Sequence, residues 1–196
     1  GDDHGPDARY RYPTDPSWGD NRQLDLRAAR AEGSGGALRL SLDLHRVTRS
    51  WSPANGFDHV AFGIYIAFPD EPGARELPLR NASMPDGLRW QYALRAHGWS
   101  NAMFGAQGAQ ARHEGTPLAP GATLAVDLPA NRVTFTFPAA ALGNRRSLSG
   151  ARIYVTTWDY DGGWRGLTIP GGSHTLGGGG GARDPLLMDA LLLVVP

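Results

Sequence analysis

The chain has 196 residues, and its 19 basic and 19 acidic side chains cancel; this removes any general electrostatic case for nucleic acid or an anionic membrane. It has no cysteine, which excludes disulfides and thiolate metal sites. There is no apolar run long enough for a transmembrane helix and no signal-type apolar segment near the start. The length suits a single domain over residues 1–196, and 27 glycines with 15 prolines predict many turns between short strands.

The chain opens with GDDHGPDARYRYP, Gly1 to Pro13. Asp2 and Asp3 lie between glycines ahead of a proline turn, and Tyr10 and Tyr12 alternate with Arg9 and Arg11. These residues suit an oxygen-rich loop feeding an edge strand, with a solvated acidic terminus as the alternative. Leu24, Leu26 and Ala28 alternate with Asp25, Arg27 and Ala29, and beyond the Gly33–Gly36 turn Leu38, Leu40, Leu42 and Leu44 alternate with polar residues. Period two over these segments predicts a hairpin whose second strand is half-buried. Trp51 to Phe57 is a structured loop. Val60 to Phe68 is apolar on both faces and reads as a central strand.

Leu77 to Leu79 is at best a short strand, and Trp90 to Arg95 is a longer one. Trp99 to Gln110 is broken by glycines, and a strand plus loop is expected there. Leu124 to Leu128 and Arg132 to Phe137 form a second hairpin with Val133, Phe135 and Phe137 inward, and Pro138 to Leu142 makes one helical turn. Ala151 to Trp158 is rich in β-branched residues and predicts a strand. It runs into the polar loop of Trp158 to Gly166. The glycine run at Leu176 to Gly181 is conformationally loose. Leu186 to Val195 is read as a buried closing strand, with a terminal helix as the alternative. About ten short strands with no long helix make an all-β, antiparallel β-sandwich.

Three kinds of chemistry merit weighing. Six histidines are scattered without transition-metal spacing. Calcium is better served, because it takes six to eight oxygens from carboxylates and carbonyls in irregular loops. Asp189 stands alone in an apolar strand and needs a cation or hydrogen bonds to stay ionised. The ends of a sandwich can meet, so Asp2, Asp3, Asp25 and Asp189 are the candidate metal ligands; an arginine partner for Asp189 is the competing reading. The second kind is carbohydrate recognition, which needs an aromatic platform ringed by planar hydrogen-bonding groups. Trp158, Tyr160, Trp164 and Arg165, with Trp99, are the candidate sugar-binding residues. Trp158 and Trp164 are expected to be exposed, and Trp90 and Trp51 to be core. The third is catalysis. Asp159, Asp161, Glu114 and Asp127 are carboxylates that a glycosidase could use, but no nucleophile elbow or phosphate loop accompanies them.

Several ordered motifs resemble a known family. GDDHGP, YRYP, SPANGF (Ser52 to Phe57), WQYAL (Trp90 to Leu94), Trp164-Arg165, LGGG (Leu176 to Gly179) and PLLMD (Pro185 to Asp189) are similar to the C-terminal domain of bacterial glucodextranases and amylopullulanases. That is a DOMON-like, family-9-like carbohydrate-binding domain. The chain departs from the family pattern at Asp7 and at Arg49 to Pro53, near possible ligand loops. The resemblance implies a jelly-roll-like sandwich that is non-catalytic by itself, binds an α-glucan-type polysaccharide or oligosaccharide, and contains calcium. It also implies association with a glycoside hydrolase, as a module of a larger secreted, periplasmic or cell-surface protein. The alternatives are a structural or interaction domain of the envelope, a glycan-cleaving enzyme, and a haem-binding DOMON domain that would use a Met and His174.

Overall fold

The structure, a computed structural model, describes residues 2–18 and 22–196; Gly1, which opens the acidic motif, lies outside them. Twelve strands form: β1 Leu26–Ser34, β2 Ala37–Leu44, β3 His59–Ala67, β4 Glu76–Leu77, β5 Ala82–Ser83, β6 Tyr92–His97, β7 Ser100–Gly105, β8 Thr116–Leu118, β9 Thr123–Asp127, β10 Arg132–Phe137, β11 Arg152–Tyr160 and β12 Asp189–Val194. A four-stranded sheet runs β1-β2-β10-β9, a six-stranded sheet runs β12-β11-β3-β6-β7-β8, and β4 with β5 makes a small ribbon. All strand pairings are antiparallel. This is the predicted sandwich, with two more strands than expected because β4 and β5 are only two residues each.

The alternating leucines of β2 build one wall of the core. Leu38, Leu40, Leu42 and Leu44 are buried and meet Val133, Phe135 and Phe137 of β10 on the same sheet. The facing wall is Phe62, Ile64 and Ile66 of β3 with Ile153 and Val155 of β11. Truncating any one of the buried leucines to alanine costs about 2–5 kcal/mol, the usual range for a core cavity. β3 is buried along its whole length, for a simple reason. Its other face, with Tyr65 and Ala67, is covered by Leu77, Met84 and Trp90 in a second apolar cluster.

Two expectations need correcting. The closing segment is a strand, but not a fully buried one: β12 is an edge strand whose Leu192 and Val194 point outward. In β1, a register shift between Leu26 and Ala28 resets the alternation. As a result Ala29 and Ala31 pack on the core, and Ala28 faces out. The helical turn near Pro138 is present as a 3-10 turn over Ala139–Leu142.

The first segment docks onto the last. Gly5 N–H donates to the Met188 carbonyl, Tyr10 O–H to the Pro185 carbonyl, and Arg11 bridges Gly177. At Gly178 the backbone has φ +87, and a Cβ there would sit 2.0 Å from the Arg9 carbonyl oxygen. The glycine run is therefore a docking surface for the opening segment rather than a loose tether; that segment makes a 3-10 turn over Pro6–Ala8 and a single bridge at Arg11 instead of the expected edge strand.

Candidate functional site

Two constellations lie at the end of the sandwich where β3 and β7 begin and β6 and β11 end. The first is acidic. Asp2, Asp25 and Asp189 each present a carboxylate oxygen within 4.8 Å of the others. Asp189 opens β12 and accepts hydrogen bonds from Leu26 N–H at 2.8 Å and Ala190 N–H at 2.6 Å. Burial pushes its carboxyl up to about 6 despite those bonds, and repulsion from Asp2 and Asp25 adds to the rise. Asp25 is buried, with Oδ2 3.0 Å from Arg22, while its Oδ1 has no hydrogen-bond partner among the described residues.

Asp3 behaves differently from the expectation that grouped it with these three. It is fully buried and bonded to Arg22. Burial alone would raise its carboxyl, but the Arg22 and Tyr12 hydrogen bonds outweigh that and hold it below the usual range. The expected arginine thus pairs with Asp3 and Asp25, whereas Asp189 has no ion-pair partner among the described residues. Arg22 and Arg27, which also reaches Asp25 Oδ2 at 3.4 Å, face four carboxylates, Asp2, Asp3, Asp25 and Asp189, so negative charge remains in excess around the unpartnered Asp25 oxygen. A cation taking several carboxylate oxygens fits this donor set.

The second constellation is aromatic. A cavity of about 410 Å³ is lined by Trp51, Trp99, Tyr160, Asp161 and Gly162. Trp51, from the β2–β3 loop, and Trp99, from the β6–β7 turn, are 40% and 43% exposed. Their rings are tilted by only 24°, with centroids 6.3 Å apart. Trp51 rests on the His59 ring at 4.2 Å, which in turn meets Trp18 at 4.1 Å. The Trp51 loop is tied down by Asp58, a buried residue that accepts from Trp51 N–H at 2.8 Å and from the Thr48 hydroxyl. Tyr160 stacks on His97 at 3.7 Å. Burial first, then the nearby Arg95 and Arg80, depress His97 to about 4, so the ring is neutral at pH 7.

Of the five predicted sugar-binding residues, Trp99 and Tyr160 line this cavity. Trp158 does not, and its expected exposure is corrected: the ring is completely buried and its Nε1–H donates to the Arg165 carbonyl at 3.1 Å. Trp158 belongs to β11 rather than to the loop after it; it lies on the face opposite Ile153 and Val155, where the Tyr10 ring of the docked opening segment packs edge-on against it at 6.0 Å. Trp164 sits behind the cavity, half-buried, with the Arg80 guanidinium 3.8 Å over its ring. Arg165 is also behind it. Its guanidinium donates to Asp159 at 3.1 Å and to Asp161 at 2.6 Å, which leaves it holding Asp161 in place instead of reaching outward. Trp51 was expected in the core and is exposed instead. Its polar and proline neighbours, Ser50, Ser52 and Pro53, carry the same loop signal that flagged Trp164.

The remaining acidic residues are dispersed. Asp159 is buried against His59 and Arg165, and burial raises its carboxyl even so. Glu114 pairs with Arg95, and Asp127 accepts from Ala130 N–H at the end of β9. Asp161 is the single carboxylate lining the aromatic cavity among the described residues. Of the side chains a haem would use, Met84, Met103 and Met188 are all buried and His174 is exposed.

Comparison with known families decides the kinship. A family model for the C-terminal binding module, SLH-like, of glucodextranase matches residues 1–194. The chain belongs to this family. No curated protein matches the chain. Membership in a glucodextranase binding-module family supports a carbohydrate-binding role for this all-β domain. No helix is long and apolar enough to cross a membrane among the described residues.

Proposed function

We propose that this glucodextranase-type module binds an α-glucan chain on the Trp51–Trp99 platform. Tyr160 would widen the apolar surface and Asp161 accept a sugar hydroxyl. The observation that carries this reading is the pair of exposed, near-parallel indole rings lining one cavity with a carboxylate that an arginine holds in position. A pyranose has a CH-rich face suited to aromatic contact and a rim of hydroxyls suited to Asp161. A glycosidase would need a second carboxylate across the same cavity, and Asp161 is alone there among the described residues. The DOMON-like and family-9-like likeness, the extracellular setting and the attached glycoside hydrolase belong to this reading.

Within the same reading, calcium is held by Asp2, Asp25 and Asp189. When bound it would supply positive charge that keeps Asp189 ionised and ties the first segment to β1 and β12.

Tryptophan fluorescence titrated with dextran, soluble starch and their oligosaccharides tests the sugar site. Binding in the wild type that Trp51→Ala and Trp99→Ala abolish is the expected result. Absence of any response to both glucans, or full binding by both variants, would refute it.

A further inference from the structure

Beside the aromatic cavity lies a second hollow of about 520 Å³, within the range of small-ligand sites. Arg49, Asn55, Asn101 and Thr123 edge it, with Val126 and Leu124 of β9 as apolar surface. It occupies the open side of the sandwich, where β9 ends the four-stranded sheet.

The two hollows are built from the same two loops. Arg49 and Asn55 flank Trp51 in the β2–β3 loop, and Asn101 follows Trp99 by two residues on β7. At a strand rise of about 3.3 Å per residue, Asn101 is within about 7 Å of Trp99 along the chain. Asn55 fastens the loops together: its backbone N–H donates to the Gly98 carbonyl at 2.8 Å, and its side chain donates to the carbonyls of His97 at 2.7 Å and Ser100 at 3.0 Å. The wall shared by the hollows is therefore rigid. Their spacing is fixed.

Resting on the sugar-platform reading above, we infer that the two hollows are adjoining subsites of one groove, so that the module grips a run of sugar residues and not a single terminal unit. A sugar stacked on Trp51 and Trp99 would pass its neighbour over Asn55 into the second hollow. There Val126 and Leu124 meet its CH face, and Arg49 and the Thr123 hydroxyl reach its hydroxyls. Arg49 and Thr123 are exposed, and Arg49 makes no ion pair among the described residues, so it is available as a donor. Asn101 firms the wall, its side-chain nitrogen donating to the Ala122 carbonyl at 2.6 Å.

Calorimetric titration with isomalto- and malto-oligosaccharides of increasing length, from the single glucose unit upward, tests the groove. Affinity is expected to rise by about tenfold or more with length before levelling. Arg49→Ala, which removes the donor, and Ala54→Trp, which fills the hollow, are expected to bring long chains down to the affinity of the shortest while leaving the shortest unchanged. Both positions are exposed, and thermal melts confirm that each variant is folded. Equal affinity at every length, or long-chain affinity unchanged in both variants, would overturn the groove while the Trp51–Trp99 platform stands. If the wild type binds no length of either series, both readings fall together.

Discussion

Replacing Trp158 by alanine removes a ring with no exposed surface from beneath the docked opening segment, and such truncations cost about 3–5 kcal/mol. Replacing Trp99 removes a ring that is 43% exposed, and the melting temperature should barely move. We expect Trp158→Ala to lower the melting temperature by roughly 6 °C or more, given about 2–4 °C per kcal/mol at this chain length. Trp99→Ala should instead lose glucan binding with the fold intact. Paired melts and titrations on the two variants check this, and it would be overturned if the stability and binding losses appeared in the same variant. Sequence context suggested the opposite for Trp158, because Asp159 and Asp161 beside it signal a wet loop. The deciding fact was that β11 runs on through Trp158 to Tyr160 and that Tyr10 of the opening segment covers the face on which Trp158 lies. Polar neighbours report on the loop and not on strand phase.

His97 gives a pH signature at the same scale. Its folded state titrates near 4, while the unfolded chain titrates near the ordinary 6.5. Between these values the unfolded chain takes up a proton that the folded protein refuses, so stability falls as pH drops from about 6.5 to about 4. The difference is worth roughly 3 kcal/mol at 1.36 kcal/mol per pH unit. Asp189 works the other way, because its carboxyl is raised to about 6 and ionising it in the fold is unfavourable. Comparing melting temperature against pH for the wild type and His97→Gln isolates the histidine. The variant should lose the acid-side decline, and superimposable curves would dismiss this account.

At the scale of elements, the β6–β7 turn sets where Trp99 points. A Cβ on Gly98 would lie 2.6 Å from the Phe57 carbonyl oxygen and 2.8 Å from Pro53 Cβ, both part of the loop that carries Trp51. Backbone and ring carbon cannot yield cheaply, and overpacking of this kind costs about 1–3 kcal/mol. Gly98→Ala should therefore push the two loops apart and weaken glucan binding along with stability. A melt and a titration on that variant check it, and unchanged affinity would show that the spacing of the tryptophans is set elsewhere. Most strands were legible in advance, because β2, β3, β10 and β11 each carry a clean period-two or doubly apolar pattern. The phase of β1 was not, since a bulge after Leu26 leaves no mark in residue type. Gly98 looked like ordinary turn glycine, and only the approach of another loop gives it a reason.

For the whole molecule, the acidic cluster draws Asp2, Asp25 and Asp189 from three distant parts of the chain. The lone charge of Asp189 in an apolar run pointed to such a meeting. What could not be foreseen was that Asp3 would turn away to Arg22, since neighbouring carboxylates look equivalent until the backbone orients them. A cation bound only by the folded form stabilises it by about 2.7 kcal/mol at a hundred times its dissociation constant. For a chain of this length that is about 5–10 °C. Melts with calcium and with excess chelator are expected to differ by that amount, and Asp25→Asn should abolish the difference. Identical melts would remove calcium from the account.

The docking of the opening segment also sets an order of events during synthesis. Gly5, Tyr10 and Arg11 leave the ribosome well before their partners Met188, Pro185 and Gly177. At about 5–20 residues per second, the opening segment waits on the order of ten to thirty seconds with no native partner. During that wait its tyrosines are available to the wrong strand or to another chain. A chaperone that holds this segment as it emerges should therefore raise the yield of folded module, whereas one acting after release should do little.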